Sequence, residues 1–382
     1  MIASALLPGP HTGELSRRVR DANTGRRPLR VVGAGTWLAT GAPIDATEDV
    51  SCASSDQIVE YVPGDLTITV GAGMSLAAIT AATAAHEQWL TLDPFGSSTG
   101  TIGATVATAS SGPLATGFGT PRDLVLGIEA VTGTGNVIRA GGRVVKNVAG
   151  FDLVRLFTGS RGTLGVITEV TLRLRARPAK DVTVAIAIEN TTTAVRAVSR
   201  ALRSWPFTPM AAELVDGACA AALGLPQTVT LLLRLGGNAR AIAAQRQRAA
   251  ALGKAVEVDA AVWEKLRSVE RGSEAVMRIA DLPSAFAERW DDAQQLCGRG
   301  GVAIGSPARG TVRCVLGDFD APRVASFRAK SKAASLVFET LPTPAAWHSL
   351  TTEMDPTSLD ARVRAVFDPG GILNPGIMRV TR

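Results

Sequence analysis

The chain has 382 residues, 46% of them hydrophobic and 19% charged, which is enough for two domains each with its own core. Net charge is +6 and the pI is about 9.5, but Arg and Lys are dispersed, and the densest run (RRVR, residues 17–20) lacks interleaved aromatics. That excludes a nucleic-acid-binding stripe and leaves a basic surplus suited to an anionic ligand or an acidic partner. Cys52, Cys219, Cys297 and Cys314 show no CxxC spacing, so neither a zinc or iron–sulfur ligand set nor a disulfide framework is expected. No apolar run approaches the roughly 20 residues of a membrane span. The opening MIASALLPGP has neither the basic lead nor the apolar length of a signal peptide, so a cytoplasmic protein with reduced thiols is expected.

In chain order, Thr12 can cap a helix whose Leu15, Val19 and Ala22 share one face. The strand LRVV then runs into the turn Gly33-Ala34-Gly35-Thr36-Trp37. Such a strand followed by GxGT presents amides and a hydroxyl to an anion, although Leu38 stands where the dinucleotide fingerprint has its third glycine, and an ordinary tight turn is the competing reading. Two strands, QIVEYVP and LTITVGAG, flank the turn Pro63-Gly64-Asp65. Ser75 caps a helix running to about Glu87, with His86 near its C-terminal end.

From Asp93 to Thr168 the chain is crowded with fifteen of its 39 glycines, set among Ser, Thr and Ala. Small residues at this density let a backbone approach something flat or anionic with amides free to donate, and packing alone explains them poorly. We read the stretch as a wall for a large nucleotide-like cofactor. Within it, ATVATAS is a helix or tight coil, LVLGIEAV and NVIRA form a hairpin, AGFDLVRLFTG is a short helix closed by Gly159, and GTLGVITEVTLRLR is a turn leading into a long strand. After Pro178 the pattern changes to two successive βαββαβ-like cycles with few glycine loops and no phosphate motif, an α+β cap with little chemistry of its own. The tail DARVRAVFDPGGILNPG is a helix followed by a defined Pro/Gly turn.

In this order, GAGT, VEYVPGDLTITVGAG, PFGSSTGTIGATVATASSGP, FGTPRDLVLGIEAVTGTG, GSRGTLGVIT and the tail FDPGGILNPG resemble the FAD-binding domain of the vanillyl-alcohol-oxidase type flavoprotein superfamily. Within it, GGRVVKNVAGFDLVRLFTGSRGTLGVI is most similar to the FAD-binding subunits of bacterial glycolate oxidases. The resemblance implies an α+β fold in three parts: a two-part PCMH-type FAD-binding domain (residues 1–178), a ferredoxin-like α+β cap (179–345), and a C-terminal segment (346–382) returning to the flavin. It implies that Gly33, Gly35 and Thr36 line the pyrophosphate. Ser97, Ser98, Thr99, Gly100, Thr101, Gly103 and Ala104 would continue that cradle toward the isoalloxazine. Gly162, Thr163, Gly165, Val166 and Ile167 would approach the adenosine half, and Asn374 the flavin ring. Lys146 and Asn147 are candidates for polar contacts with flavin or phosphate; a hydrogen-bonded loop is the alternative.

Three departures qualify the resemblance. Trp37 and Leu38 follow Thr36 where covalent relatives place a histidine, so noncovalent FAD is expected. Gly150-Phe151-Asp152 replaces the frequent GYD, and the metal-binding histidine cluster of the 2-hydroxy-acid dehydrogenase branch is missing: the chain has only His11, His86 and His348.

Oxidation of a hydroxy acid at a flavin needs a base and a carboxylate-binding cation. His348 is the histidine close to the tail and is the candidate base, against the reading of a satisfied surface side chain. Arg278, with Arg309 or Arg313, could supply a bidentate fork, against ordinary salt bridges. The expected function is the FAD-binding subunit of a glycolate oxidase complex. It would work with a larger FAD-containing subunit and an iron–sulfur subunit, peripheral to a membrane at most through the complex. The alternative is a stand-alone FAD-dependent oxidoreductase of a hydroxy acid, sugar alcohol or lactone.

Overall fold

The computed structural model describes residues 10–46, 48–142, 152–330 and 334–381. Helix Pro10–Thr24 buries Val19 and Ala22 against the first sheet, as the periodicity requires. Thr12 is not its cap. It lies within the first turn, where its Oγ1 donates to Glu129 Oε1 at 2.7 Å, and Thr168 Oγ1 donates to the same oxygen at 2.8 Å. A fully enclosed carboxylate thus ties the helix to the sheet through two hydroxyls and an ion pair with Arg139.

Strands β1 (Leu29–Val32) and β2 (Glu48–Ser51) pair in parallel. Strands β3 (Ile58–Val62) and β4 (Thr67–Gly71) form the hairpin read from the sequence. Strand β5 (Gln88–Trp89) is short. Strands β6 (Val125–Thr132), β7 (Val137–Gly141) and β8 (Gly165–Arg173) complete an antiparallel sheet of order β3-β4-β8-β6-β7. Strand β9 (Arg175–Ala176) pairs with β5 at the exit. Ser75 and Thr101 cap helices Leu76–Ala84 and Ile102–Thr108 by accepting from Ala78 N and Ala104 N.

The two cycles of the second half fuse into one sheet. The first contributes β10 (Lys180–Ala187), β11 (Ala211–Val215), β12 (Thr230–Gly237) and β13 (Ala255–Val258). The second contributes β14 (Val276–Ala280), β15 (Val302–Ser306), β16 (Thr311–Val315) and β17 (Ser335–Thr340). Their order, β13-β10-β12-β11-β15-β16-β14-β17, places two ferredoxin-like arrangements back to back, joined where the second strand of each cycle pairs antiparallel, Leu214 against Gly305. Strand alternation then separates the faces. Leu214, Ala303, Val312, Cys314, Met277 and Ile279 pack under helices such as Phe286–Cys297. Glu213, Ser306, Arg313 and Arg278 emerge on the other face, toward the first half of the chain.

The halves dock through mixed contacts. Phe95 packs against Ala211, Val215 and Ile304, and the Arg313 guanidinium lies 4.5 Å from its ring centroid. Trp89 and Leu114 meet Met210, while Gly41 N donates to Glu339 O at 2.8 Å. The tail returns to β1: Leu29 N donates to Ile372 O and Asn374 N to Leu29 O, at 2.8 and 2.9 Å. Asp368 holds the turn between by accepting from Ile372 N and Leu373 N. Beyond this contact, strands β18 (Thr351–Glu353) and β19 (Arg379–Thr381) pair antiparallel. No helix among the described residues is long and apolar enough to cross a membrane.

Candidate cofactor cradle and adjoining cavity

Sequence-distant segments converge on a cleft beside β1. The turn after β1 contributes Gly33, Gly35, Thr36 and Trp37; helix Ile102–Thr108 and its cap contribute Thr101, Gly103 and Ala104; the turn before β8 contributes Arg161 and Gly162, followed by Gly165 and Ile167; the tail contributes Asn374. Of the remaining residues expected there, Ser97 lines a neighbouring groove instead, and Ser98, Thr99, Gly100, Thr163 and Val166 do not line the cleft. Lys146 and Asn147 lie outside the described residues.

Three features fit this cleft to a dinucleotide such as FAD. The amides of residues 34–37 have no acceptor among the described residues, so the turn offers a row of donors where a diphosphate needs them. Gly35 has φ +77°, and Gly162 has φ +74° with a would-be Cβ 2.8 Å from Asn374 Nδ2. A Cβ on Gly33 would overlap Thr101 Oγ1. Finally, Arg161 Nη1 is buried without a hydrogen-bond partner among the described residues, an orphaned cation at the end of the cleft.

The loop through Ser97–Ala104 is a different kind of wall from the one expected. Its amides are largely spent within the protein: Gly100 N on Ser97 O, Ile102 N on Met74 O, Gly103 N on Ala72 O and Ala104 N on Thr101 Oγ1. Gly103 is required by packing, since its Cβ would stand 2.7 Å from that of Ala72. The loop therefore contributes shape, and the turn after β1 contributes donors.

Trp37, Thr40, Thr108 and Arg161 also line a second cavity, of about 260 Å³, between the cleft and the open face of the eight-stranded sheet. Arg278, Arg309 and Arg313 all reach it, joined by Arg122 and Arg161 from the first half and by the acids Glu213 and Glu339. The arginines differ in commitment. Arg313 is bound to Glu270 and Glu339, each at 2.5 Å, and is buried. Burial alone would lower its pKa, but the two carboxylates outweigh it and hold the guanidinium above its ordinary value. Burial likewise works to raise Glu339, and Arg313 followed by Arg278 overcome it, leaving that carboxyl below the usual range. Arg278 touches Glu339 only at 3.5 Å. Arg309 has no hydrogen-bond or ion-pair partner for its guanidinium among the described residues, and burial pulls its pKa down.

Glu213 was not singled out in the sequence. It is enclosed, accepts from Ser306 Oγ at 2.5 Å, forms no ion pair among the described residues, and burial pushes its carboxyl up to about 8. The available signal was one carboxylate in the otherwise apolar run MAAELV. Arg161 was missed for a similar reason, as its neighbour Gly162 drew the attention. The cap is thus not chemically bare: it supplies most of the cavity's charge.

His348 does not join these residues. It sits exposed on helix Pro344–Leu350 with Nδ1 2.6 Å from Pro344 O and lines neither cavity, so the tail brings no histidine base to the site.

Comparison with known proteins agrees with the geometry. Residues 6–141 match the family model described as FAD binding domain. The chain is 40% identical over 167 residues to glycolate oxidase subunit GlcE of Escherichia coli (strain K12), covering 43% of this chain and 47% of that one. It is 32% identical over 213 residues to glycolate oxidase subunit GlcD of Bacillus subtilis (strain 168), covering 56% and 45%. To D-lactate dehydrogenase of Archaeoglobus fulgidus it is 34% identical over 206 residues, covering 53% and 45%. The chain spans about half the length of these curated relatives. Among solved structures, p-cresol methylhydroxylase with substrate bound superposes with TM-score 0.74 at 14% identity, over 96% of this chain and 87% of that one. The 4-ethylphenol oxidase of Gulosibacter chungangensis gives 0.73 at 14%, with the same coverage. Fold, cleft and family match together define a flavoprotein with the PCMH-type fold. Its FAD-binding domain includes residues 6–141, and its cofactor is FAD.

Proposed function

We propose that this chain is an FAD-dependent oxidoreductase of 2-hydroxy acids and serves as the FAD-binding subunit of a glycolate-oxidase-type complex. The observation that carries this reading is the adjacency of the two cavities: the cleft suited to FAD shares Trp37, Thr40, Thr108 and Arg161 with a chamber where five arginines face two acids. An anionic substrate is the ligand such a chamber attracts. The names of the similar proteins, glycolate oxidase subunits and a D-lactate dehydrogenase, support a small hydroxy acid.

In this reading the chain divides into a cofactor-binding unit (1–178), a cap (179–345) and a returning segment (346–382). The amides of residues 34–37 receive the diphosphate. Gly33, Gly162 and Asn374 keep the cleft open and shaped, and Arg161 places positive charge where cleft and chamber meet. When bound, FAD supplies a two-electron acceptor for oxidation of the alcohol carbon. The cofactor is held without a covalent bond, because no histidine lines the cleft and Cys52, its one thiol there, has its pKa pushed up to about 12 by burial.

The cap chamber favours a chain that receives substrate itself over one that only relays electrons. A larger flavin subunit and an iron–sulfur subunit are the proposed recipients of its electrons. The test is reduction of the purified, FAD-loaded chain by glycolate and by D-lactate, followed as bleaching of the flavin absorbance, alone and co-expressed with those subunits. Bleaching accompanied by formation of a stable complex is expected. Flavin that stays oxidised with every hydroxy acid, alone and in the complex, would refute the reading.

A further inference from the structure

Glu213 and Arg309 are two groups of opposite charge that share a chamber without being paired to each other. Of the other cations there, Arg313 is engaged by two carboxylates, Arg278 by Glu339, and Arg122 by Thr158 O at 3.4 Å, while Arg161 lies on the wall shared with the cofactor cleft. Arg309 projects from the turn between β15 and β16 with no partner for its guanidinium among the described residues. Glu213 stands on β11 across the junction of the two cycles, where the pairing of Leu214 with Gly305 brings it beside Ser306. The serine fixes one carboxylate oxygen. A polar pair left open in a sheltered cavity is costly unless a ligand completes it.

Resting on the hydroxy-acid reading above, we infer that Arg309 receives the carboxylate of the substrate and that Glu213, oriented by Ser306, accepts its hydroxyl proton. The substrate O–H bond breaks with its proton passing to Glu213. The hydrogen on the adjacent carbon leaves with its electron pair to the flavin-class two-electron acceptor, and the C=O bond of a 2-oxo acid forms. Glu213 replaces a histidine that the chamber does not contain. Arg309 suits the carboxylate because its fork is uncommitted, whereas occupying Arg313 would require breaking two existing ion pairs.

Burial raises the Glu213 carboxyl to about 8, opposed by the Ser306 hydrogen bond and by Arg309, and reinforced by Asp93 on the neighbouring loop. Arg278, Arg313 and Glu339 face the chamber from the adjoining strands, and Arg122 and Arg161 from the opposite wall. A proton acceptor in this setting is ionised only as pH rises through about 8, so turnover should rise over that range.

The experiment uses the FAD-loaded protein, within its complex where that is the form that turns over. Oxalate binding is read by quenching of tryptophan fluorescence, since Trp37 lines the chamber, and glycolate and D-lactate oxidation by dye reduction across pH. Arg309→Met should keep FAD and weaken oxalate binding by roughly 10- to 100-fold. Glu213→Gln should bind oxalate within a few-fold of the parent while turnover falls by roughly 10²- to 10⁴-fold. Ser306→Ala, which removes only the orienting hydroxyl, should move the midpoint of the pH profile upward, and this variant decides the point if Glu213→Gln does not fold. Unchanged oxalate affinity in Arg309→Met, near-normal turnover in Glu213→Gln, or an unmoved midpoint in Ser306→Ala would overturn the inference while leaving hydroxy-acid oxidation standing. A parent protein that neither binds oxalate nor oxidises either acid would instead remove the functional reading beneath it.

Discussion

Asn374 donates through Nδ2 to the carbonyl oxygen of Arg161 at 2.7 Å, across 213 positions of sequence. Its Oδ1 accepts from Val31 N, also at 2.7 Å, so both ends of one buried amide are consumed by backbone from two different walls of the cleft. The donor and acceptor demands fix the orientation of the amide. Asn374 adopts φ +45°, a conformation Asn tolerates better than most residues. It acts as the clasp that brings β1, the turn before β8 and the tail together.

Replacing Asn374 with Ala should therefore leave two backbone groups unsatisfied, at about 1–3 kcal/mol each. We expect FAD affinity, measured by recovery of free-flavin fluorescence on dilution, to fall by at least about tenfold. Asn374→Asp should not rescue it, because a carboxylate can accept from Val31 N but cannot donate to Arg161 O. Full flavin retention in both variants would show that the clasp is dispensable.

Gly33→Ala is expected to purify with little FAD. Its Cβ would overlap Thr101 Oγ1, the hydroxyl that caps helix Ile102–Thr108. Gly64, on the far hairpin turn, has no heavy atom within 4 Å of a would-be Cβ, so Gly64→Ala should bind FAD like the parent. The flavin-to-protein absorbance ratio of the two purified variants makes the comparison, and equal ratios would contradict the assignment of the cleft.

The protein should lose stability as pH rises across neutrality. Burial raises Asp93 to about 7 and Glu213 to about 8, against ordinary values of 3.8 and 4.5, so the folded state holds protons that the unfolded chain releases. Their contribution is fully present below the unfolded values and is lost as pH climbs through the folded ones. Glu339 and Asp49 have lowered pKa values and are ionised in both states over this window. Stability should fall between about pH 5 and pH 8 by an amount on the order of a few kcal/mol, read as a falling melting temperature, and Glu213→Gln should flatten the upper part of the curve. A flat profile in the parent would mean that neither acid is protonated in the folded protein.

Acid precipitation should release the yellow chromophore into the supernatant. The cleft has no histidine, and a thiol held near 12 is a poor nucleophile at neutral pH. Colour remaining with the pellet would indicate a covalent link.

Read along the chain, the glycine-rich segments announce a cofactor wall, because close backbone approach and positive φ can be met by few residue types. The strand hairpins, the capping of a helix by Ser75, and the two βαββαβ cycles were legible on the same local grounds, since caps, turns and period-two alternation act over a few residues. What sequence order could not reveal was which glycines face a ligand and which face neighbouring protein. Gly103 meets Ala72 and Gly33 meets Thr101, whereas Gly35 has only Leu38 near its would-be Cβ, and that difference arises only when distant segments pack. The charged chamber was hidden for the same reason. Glu213, Arg278, Arg309 and Arg313 are spread over about a hundred residues, and each alone reads as a surface charge or an ordinary ion pair. The fusion of two cycles through β11 and β15 turns one face of eight strands toward the FAD-binding half, and burial there leaves Arg309 and Glu213 unmatched. Local chemistry thus determined that a dinucleotide would be held; the long-range sheet pairing decided which side chains meet it, because desolvation and charge pairing depend on neighbours that sequence distance does not show.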